Sequence, residues 1–227
     1  LRSNDKNMPE EINRLITDAI TDFFFITEKS ANENLIKEGH DENKIFFVGN
    51  LMIDSLHYGL DKIKNLPHAK NSDYGLITLH RPSNVDDHTN LKNIINQLKN
   101  ISNEIKLYFS IHPRTKKQIE DCGIDLGEKI SILNPQSYLE FLHLMRDSKV
   151  VFTDSGGIQE ETTVLKVPCV TLRNNTERPE TIKYGTNLLV GHNSKKIINA
   201  LNKVLENKWH KGKIPKYWDG NSASRIV

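Results

Sequence analysis

Lys149-Val150-Val151-Phe152-Thr153-Asp154-Ser155-Gly156-Gly157-Ile158-Gln159-Glu160-Glu161 decides the fold. Its opening KVVFT is a continuous apolar run, the pattern of a strand buried on both faces of a parallel sheet. The chain then passes through Ser-Gly-Gly straight into a helical pattern. In an open α/β sheet, ligands sit beyond the carboxyl ends of the strands. The free N–H groups at a helix N-terminus form an anion site, and two glycines let phosphate oxygens approach the backbone. Ser155, Gly156 and Gly157 are therefore candidates for holding a phosphate. Glu161, one turn along, is placed to accept hydrogen bonds from both hydroxyls of a ribose. The same residues also read as an ordinary N-capped helix with acids that complement its dipole. Local spacing leaves both readings open.

Outward from this stretch, short apolar runs alternate with amphipathic ones almost to the chain end. Strands are predicted at Asp22–Thr27, Ile45–Gly49, Gly75–Leu79, Ile105–Ile111, Ile130–Leu133, Lys149–Thr153, Pro168–Leu172 and Asn187–Val190. Helices are predicted at Glu10–Ile20, Glu28–Glu38, Ile53–Ile63, Thr89–Ile101, Ser137–Arg146, Ile158–Leu165 and Lys195–Leu205. This alternation predicts an α/β fold, a doubly wound parallel sheet with helices on both faces. Lys64–Tyr74 is polar, turn-rich and without periodicity, so it marks a break. Six predicted strands follow it, enough for a complete domain, and only two precede it. Residues 1–63 therefore read as the remnant of one domain with its connection, and 64–227 as a second, whole domain.

Three more polar clusters close predicted strands. Leu172–Glu180 contains Arg178, a planar fork suited to phosphate or carboxylate, although the cluster also reads as a solvated turn. Thr78–Asn84 contains His80, able to donate to a ligand or shuttle a proton near neutral pH, although a lone His is more often structural. Ile111–Thr115 reads equally as a proline-set turn with a helix cap. All four loops would meet at one crevice on the carboxyl edge of the sheet. Near the front, Met8–Arg14 opens a helix with Pro9, Glu10 and Glu11, as ordinary helices do.

Composition narrows the partners. With 31 basic and 29 acidic residues the net charge is +2, and nothing global points to nucleic acid. No apolar run approaches the ~20 residues of a membrane span. Mean hydropathy is −0.54, that of a soluble chain. Cys122 and Cys169 lie far apart with no CxxC spacing, which fits a reduced cytoplasmic protein. The sequence holds no zinc-ligand spacing, Walker A or GxGxxG.

Taken together, these residues resemble the non-hydrolysing UDP-N-acetylglucosamine 2-epimerase family. The likeness runs through Leu1–Ser3, Met8–Arg14, Val48–Leu56, Leu76–Asp87, His112–Thr115, Leu133–Phe141, Thr153–Thr181 and Trp218–Val227. DSGGIQEE followed by RNNTERPE is its most specific part. The resemblance implies two Rossmann-like domains in the GT-B arrangement with the active site between them. It implies Ser155, Gly156 and Gly157 on the diphosphate, Glu161 on the ribose, and Gln136 and Phe141 around the uridine. His80 and Arg178 would face the diphosphate, and Glu10 would reach in as an acid/base group.

The implied reaction interconverts UDP-GlcNAc and UDP-ManNAc by expelling and re-adding UDP, with no redox cofactor or metal required. The resemblance further implies a UDP-sugar partner, a homodimer, and a cytoplasmic role in cell-surface polysaccharide synthesis. Ser83 stands where many relatives have Glu, which leaves His80 as the anchor of its loop. The chain starts inside a family motif, so its upstream part, with an Asp and a Glu of the acid/base set, is expected to be missing and these residues alone inactive. Alternative readings are a hydrolysing epimerase, a GT-B glycosyltransferase, or a module that binds UDP-sugar without turning it over.

Overall fold

Alternate side chains of a strand face opposite sides of its sheet. In the computed structural model, which describes residues 1–68 and 73–227, helices cover both sides of the main sheet. The chain begins with α1 (Pro9–Ala19), β1 (Phe24–Ile26), α2 (Lys29–Lys37), β2 (Ile45–Phe47) and α3 (Leu51–Ile63). It continues through β3 (Tyr74–Thr78), α4 (Pro82–Val85), α5 (His88–Ile101), β4 (Lys106–Ser110), α6 (Pro113–Asp121), β5 (Ile130–Leu133) and α7 (Tyr138–Asp147). The last elements are β6 (Val150–Thr153), α8 (Gly156–Leu165), β7 (Cys169–Thr171), α9 (Pro179–Lys183), β8 (Asn187–Leu189), α10 (Ser194–Leu205) and α11 (Ser222–Ile226).

β1 and β2 form a small parallel pair, and the other six strands form a parallel sheet in the order β5-β4-β3-β6-β7-β8. The expected α/β doubly wound fold is what forms. β3 to β5 build outward in one direction and β6 to β8 in the other, so the order reverses between β3 and β6. At such a reversal the flanking helices diverge and leave a crevice at the carboxyl edge. One core packs Ile77, Phe109 and Phe152 against α5 and α10; the other packs Leu76 and Val151 against α3 and α7. Neighbouring residues Leu76 and Ile77 thus serve opposite faces, which explains why β3 and β6 are buried at every position.

Each expected strand and helix forms within two residues of its predicted bounds. Four helices were not expected: α4, α6, α9 and α11. α4, α6 and α9 start at proline, and α4, α9 and α11 are too short to show a period. α6 (PRTKKQIED) buries only Thr115 and Ile119.

The connection between the two expected parts packs on the second. α3 lies within 1–63, yet its apolar stripe of Ile53, Leu56 and Ile63 is buried in the core of the six-stranded sheet. β1 and β2 already have α2 against one face, through Ala31 and Leu35. Within the break read at Lys64–Tyr74, residues 69–72 lie outside the described residues.

The chain end returns to the front. Trp218, 1% exposed, donates its indole N–H to the Thr27 carbonyl at 3.1 Å, and Arg225 donates to the Val48 carbonyl at 3.0 Å. Gly49 has φ +99°, and a Cβ there would lie 2.1 Å from the Tyr217 carbonyl oxygen, so the crossing requires glycine. Among the described residues no helix is long and apolar enough to cross a membrane.

Candidate functional site

Asp154, fully buried at the end of β6, organises the crevice. Its carboxylate accepts from the backbone N–H of His80 at 3.1 Å, that of Arg81 at 2.9 Å and the Asn84 side-chain amide at 3.1 Å. The same carboxylate lies 3.0 Å from His80 Nδ1. His80 is 43% exposed, so its ring remains open to a ligand. The end of β3 is thereby tied to the end of β6 across the point where the strand order reverses.

Ser155 is the N-cap residue of α8, and its side chain makes no capping hydrogen bond. Its own N–H is spent on Thr153 Oγ1 at 3.0 Å. The first N–H groups of α8 therefore have no side-chain cap, and their partial positive charge faces the crevice. A Cβ on Gly156 would lie 2.6 Å from Glu177 Oε1, and one on Gly157 would lie 3.1 Å from Met52 Cε. Side chains at these two positions would fill the cradle.

Three guanidinium groups gather around this helix end. Arg178 Nε lies 3.0 Å from Glu160 Oε1 but is not aligned for a hydrogen bond, and its Nη1 has no partner. Arg173 Nη2 bonds Glu177 Oε2 at 2.7 Å, and Arg81 Nη2 reaches Glu177 Oε1 at 3.3 Å. Arg81 Nε and Arg173 Nη1 are also buried without hydrogen-bond partners. Burial works against the Glu177 charge, but the Arg173 hydrogen bond and the nearby cations hold its carboxyl at about 2. Buried donors left unpaired are costly. A site with several of them beside an uncapped helix N-terminus is built for an anion.

Glu161 lies one turn into α8, 5% exposed, and accepts from the Tyr138 hydroxyl at 3.0 Å. Burial pushes its carboxyl up to about 7, aided by the charge of Glu160 and opposed by the Tyr138 bond. Tyr138 opens α7, whose N-terminus is closed by a capping box between Ser137 and Glu140. Gln136 and Phe141 flank this start. Gln136 donates to the Asn134 carbonyl at 2.7 Å, and Phe141 packs against the α3-side core. Tyr138 joins their segment to Glu161 by a hydrogen bond, while Phe141 shares its core cluster with Ile158, Val164 and Leu165 of α8.

Glu10 reaches the crevice from the opposite side. Its carboxylate, half exposed, pairs with Arg81 Nη1 at 2.8 Å. Together they line a cavity of about 510 Å³ that also touches Met8, Asn84, Arg173 and His192. Glu11 points inward instead. Burial opposes its charge, but donors from Ser3, Asn4 and Arg14 hold its carboxyl below the usual range. Adjacent acids thus have different settings: Glu11 ties down the N-terminal turn, while Glu10 is free to meet a ligand.

The structure brings Ser155, Gly156, Gly157, Arg178, His80 and, through Arg81, Glu10 to one crevice. The HPRT loop behaves as a capped turn, with His112 Nδ1 accepting the Arg114 N–H at 3.2 Å. Asp154, Glu160, Arg173 and Glu177 were not singled out from sequence. They lie inside quoted motifs, but their roles depend on partners brought close by folding.

Comparison with known proteins follows the same lines. The family model described as UDP-N-acetylglucosamine 2-epimerase matches residues 1–227. The chain is 46% identical over 244 residues to a UDP-N-acetylglucosamine 2-epimerase of Methanocaldococcus jannaschii, covering all of this chain and 65% of that protein. It superposes with a TM-score of 0.88 and 42% identity on the M. jannaschii UDP-GlcNAc 2-epimerase in complex with UDP-GlcNAc and UDP, over 100% of this chain and 66% of that one. Against the Neisseria meningitidis UDP-GlcNAc 2-epimerase bound to UDP-GlcNAc, the TM-score is 0.89 at 30% identity, with coverage of 100% and 66%. The chain spans about 65% of the length of the curated relatives it matches.

Proposed function

We propose, from the premise that this chain belongs to the UDP-N-acetylglucosamine 2-epimerase family, that it carries the UDP-binding half of an enzyme interconverting UDP-GlcNAc and UDP-ManNAc. One observation carries the reading: the uncapped α8 N-terminus and the unpartnered donors of Arg178 meet His80, held by Asp154, where the strand order reverses. In this reading Ser155, Gly156, Gly157 and Arg178 hold the diphosphate, and Glu161 accepts from the ribose. Gln136 and Phe141 frame the uridine.

The chemistry removes the proton at sugar C2 while the C1–O bond to UDP breaks, giving a 2-acetamidoglucal and UDP. UDP then re-adds at C1 as a proton arrives at C2 on the opposite face. The departing diphosphate gains charge, which the helix end, Arg178 and the His80 imidazole stabilise in place. Glu10, oriented by Arg81, serves as an acid/base carboxylate facing the sugar. A cytoplasmic location fits the two free thiols. A homodimer fits the exposed Ile12, Ile16 and Ile20, which recur every four residues along and just past α1 and offer apolar surface to a partner.

The test is calorimetry with UDP, ADP and GDP, followed by incubation with UDP-GlcNAc in deuterated water. Preference for UDP is the expected result, and equal affinity for all three nucleotides would overturn the assignment of the pocket. These residues alone are expected to leave C2 unlabelled. Deuterium at C2 would place a complete acid/base set within these residues.

A further inference from the structure

Glu160 has no part in the chemistry above, yet it is 1% exposed and sits against the Arg178 guanidinium. Its Oε1 accepts from the Asn50 amide at 2.8 Å, and Asn50 in turn caps α3 by accepting from the Met52 N–H at 2.9 Å. Its Oε2 is buried with no hydrogen-bond partner. The carboxyl is thus half satisfied, an arrangement that disfavours its charge and leaves one oxygen ready for a proton.

We propose that Glu160 is a positioning residue for Arg178, and that its Oε2 takes up a proton from solvent when a diphosphate occupies the guanidinium. The inference rests on the reading of Arg178 as part of the diphosphate site. With the crevice empty, Glu160 is the counter-charge that keeps Arg178 in place. An arriving diphosphate competes for the same cation and adds negative charge on its far side. Both effects weaken the hold of Arg178 on Glu160 and favour the neutral acid. The proton adds to Oε2 as ligand binds and returns to solvent when ligand leaves.

The other charged groups near Glu160 behave differently. Glu177, from the loop before α9, is already held ionised by Arg173, and Asn50 from α3 does not titrate. Glu161, the next residue on α8, would lose a proton when ribose hydroxyls donate to it, the opposite sign. Glu28, before α2, also feels Arg178; Ser30 bonds its Oε1, but its Oε2 is buried without a partner and burial pushes its carboxyl up to about 7, so a Glu28 variant must subtract its share. His80 lies across the crevice beside Asp154, so a variant of it is included below. In its free state Glu160 is raised above the usual carboxylate range by burial, with Arg178 and Asn50 pulling the other way.

The experiment is titration calorimetry of this chain with UDP-GlcNAc, whose doubly esterified diphosphate has no proton to exchange near neutral pH. Runs at about pH 8 in buffers of differing ionisation enthalpy give the number of protons taken up. Glu160→Gln, which mimics the protonated acid, is expected to lower that number by about one. Its affinity should match wild type at lower pH and exceed it at higher pH, where wild type weakens by up to about tenfold per pH unit. Glu28→Gln and His80→Asn should leave the Glu160 share in place. Uptake unchanged in Glu160→Gln overturns this inference alone. If that variant does not fold, binding with no net uptake in the Glu28→Gln background also overturns it. No binding of UDP-GlcNAc to wild type overturns the diphosphate reading and this inference with it.

Discussion

Replacing Glu161 with Gln should stabilise the ligand-free chain above neutral pH while weakening its hold on UDP. An ordinary glutamate titrates near 4.5, and burial raises Glu161 to about 7. Between those values the folded chain binds a proton that the unfolded chain has lost. Stability is therefore full below about pH 4.5 and falls as pH rises towards 7. The difference of about 2.5 units corresponds to about 3 kcal/mol. Gln keeps an oxygen for the Tyr138 hydroxyl and never ionises, so the variant escapes this loss. At 2–4 °C per kcal/mol, its melting temperature should rise by up to about 10 °C at pH 8 and hardly change at pH 5. Scanning calorimetry at both pH values reads this directly. In the same variant, UDP affinity should fall by about 1–3 kcal/mol, the range for losing a charged hydrogen bond. Affinity for 2′,3′-dideoxy-UDP should stay nearly constant. A variant less stable at pH 8 would refute the burial cost on the Glu161 charge, and equal losses for both nucleotides would refute the placement of ribose on Glu161.

Other outcomes follow from the same geometry. Gly156→Ala pushes a methyl to within 2.6 Å of Glu177 Oε1, so UDP affinity should drop at least about tenfold by calorimetry while the fold persists. Asp154→Ala strips three donors of their acceptor and removes the charge beside His80 Nδ1, and should cost about 3–5 kcal/mol in urea denaturation. His80→Ala should be near wild type in that assay, because the ring is 43% exposed, and in an assembly that turns over it should lower the rate by about 10²–10⁴.

The sheet was legible because its strands are mostly apolar runs, buried at every position in β3, β6 and β7, and its helices carry a stripe. Ser155-Gly156-Gly157 was legible because strand, glycines and helix are contiguous, so the chemistry is local. Asp154 sits inside the same motif and was passed over. Its importance comes from His80, Arg81 and Asn84, which are 70 or more positions away in sequence. Glu160 and Asn50, 110 positions apart, illustrate the same limit. α3 was read with the first unit because a polar break follows it, and only the facing side chains of α7 and α8 show where its stripe is buried. One-turn helices such as α4 and α9 bury too few residues to leave a pattern.

The return of the chain end to the front has a consequence for synthesis. The bond from Arg225 to Val48 joins residues 177 positions apart. At about 5–20 residues per second, Val48 is made roughly 9–35 s before its partner. Throughout that interval the groove beside Thr27, Val48 and Gly49 lacks the Trp218 ring and the final helix. An earlier-made stretch is thus finished by a later-made one, and a nascent chain presents this open groove until residues 218–227 have been made. Loss of only the final ten residues, Trp218–Val227, should leave the large sheet formed and the first unit exposed to protease.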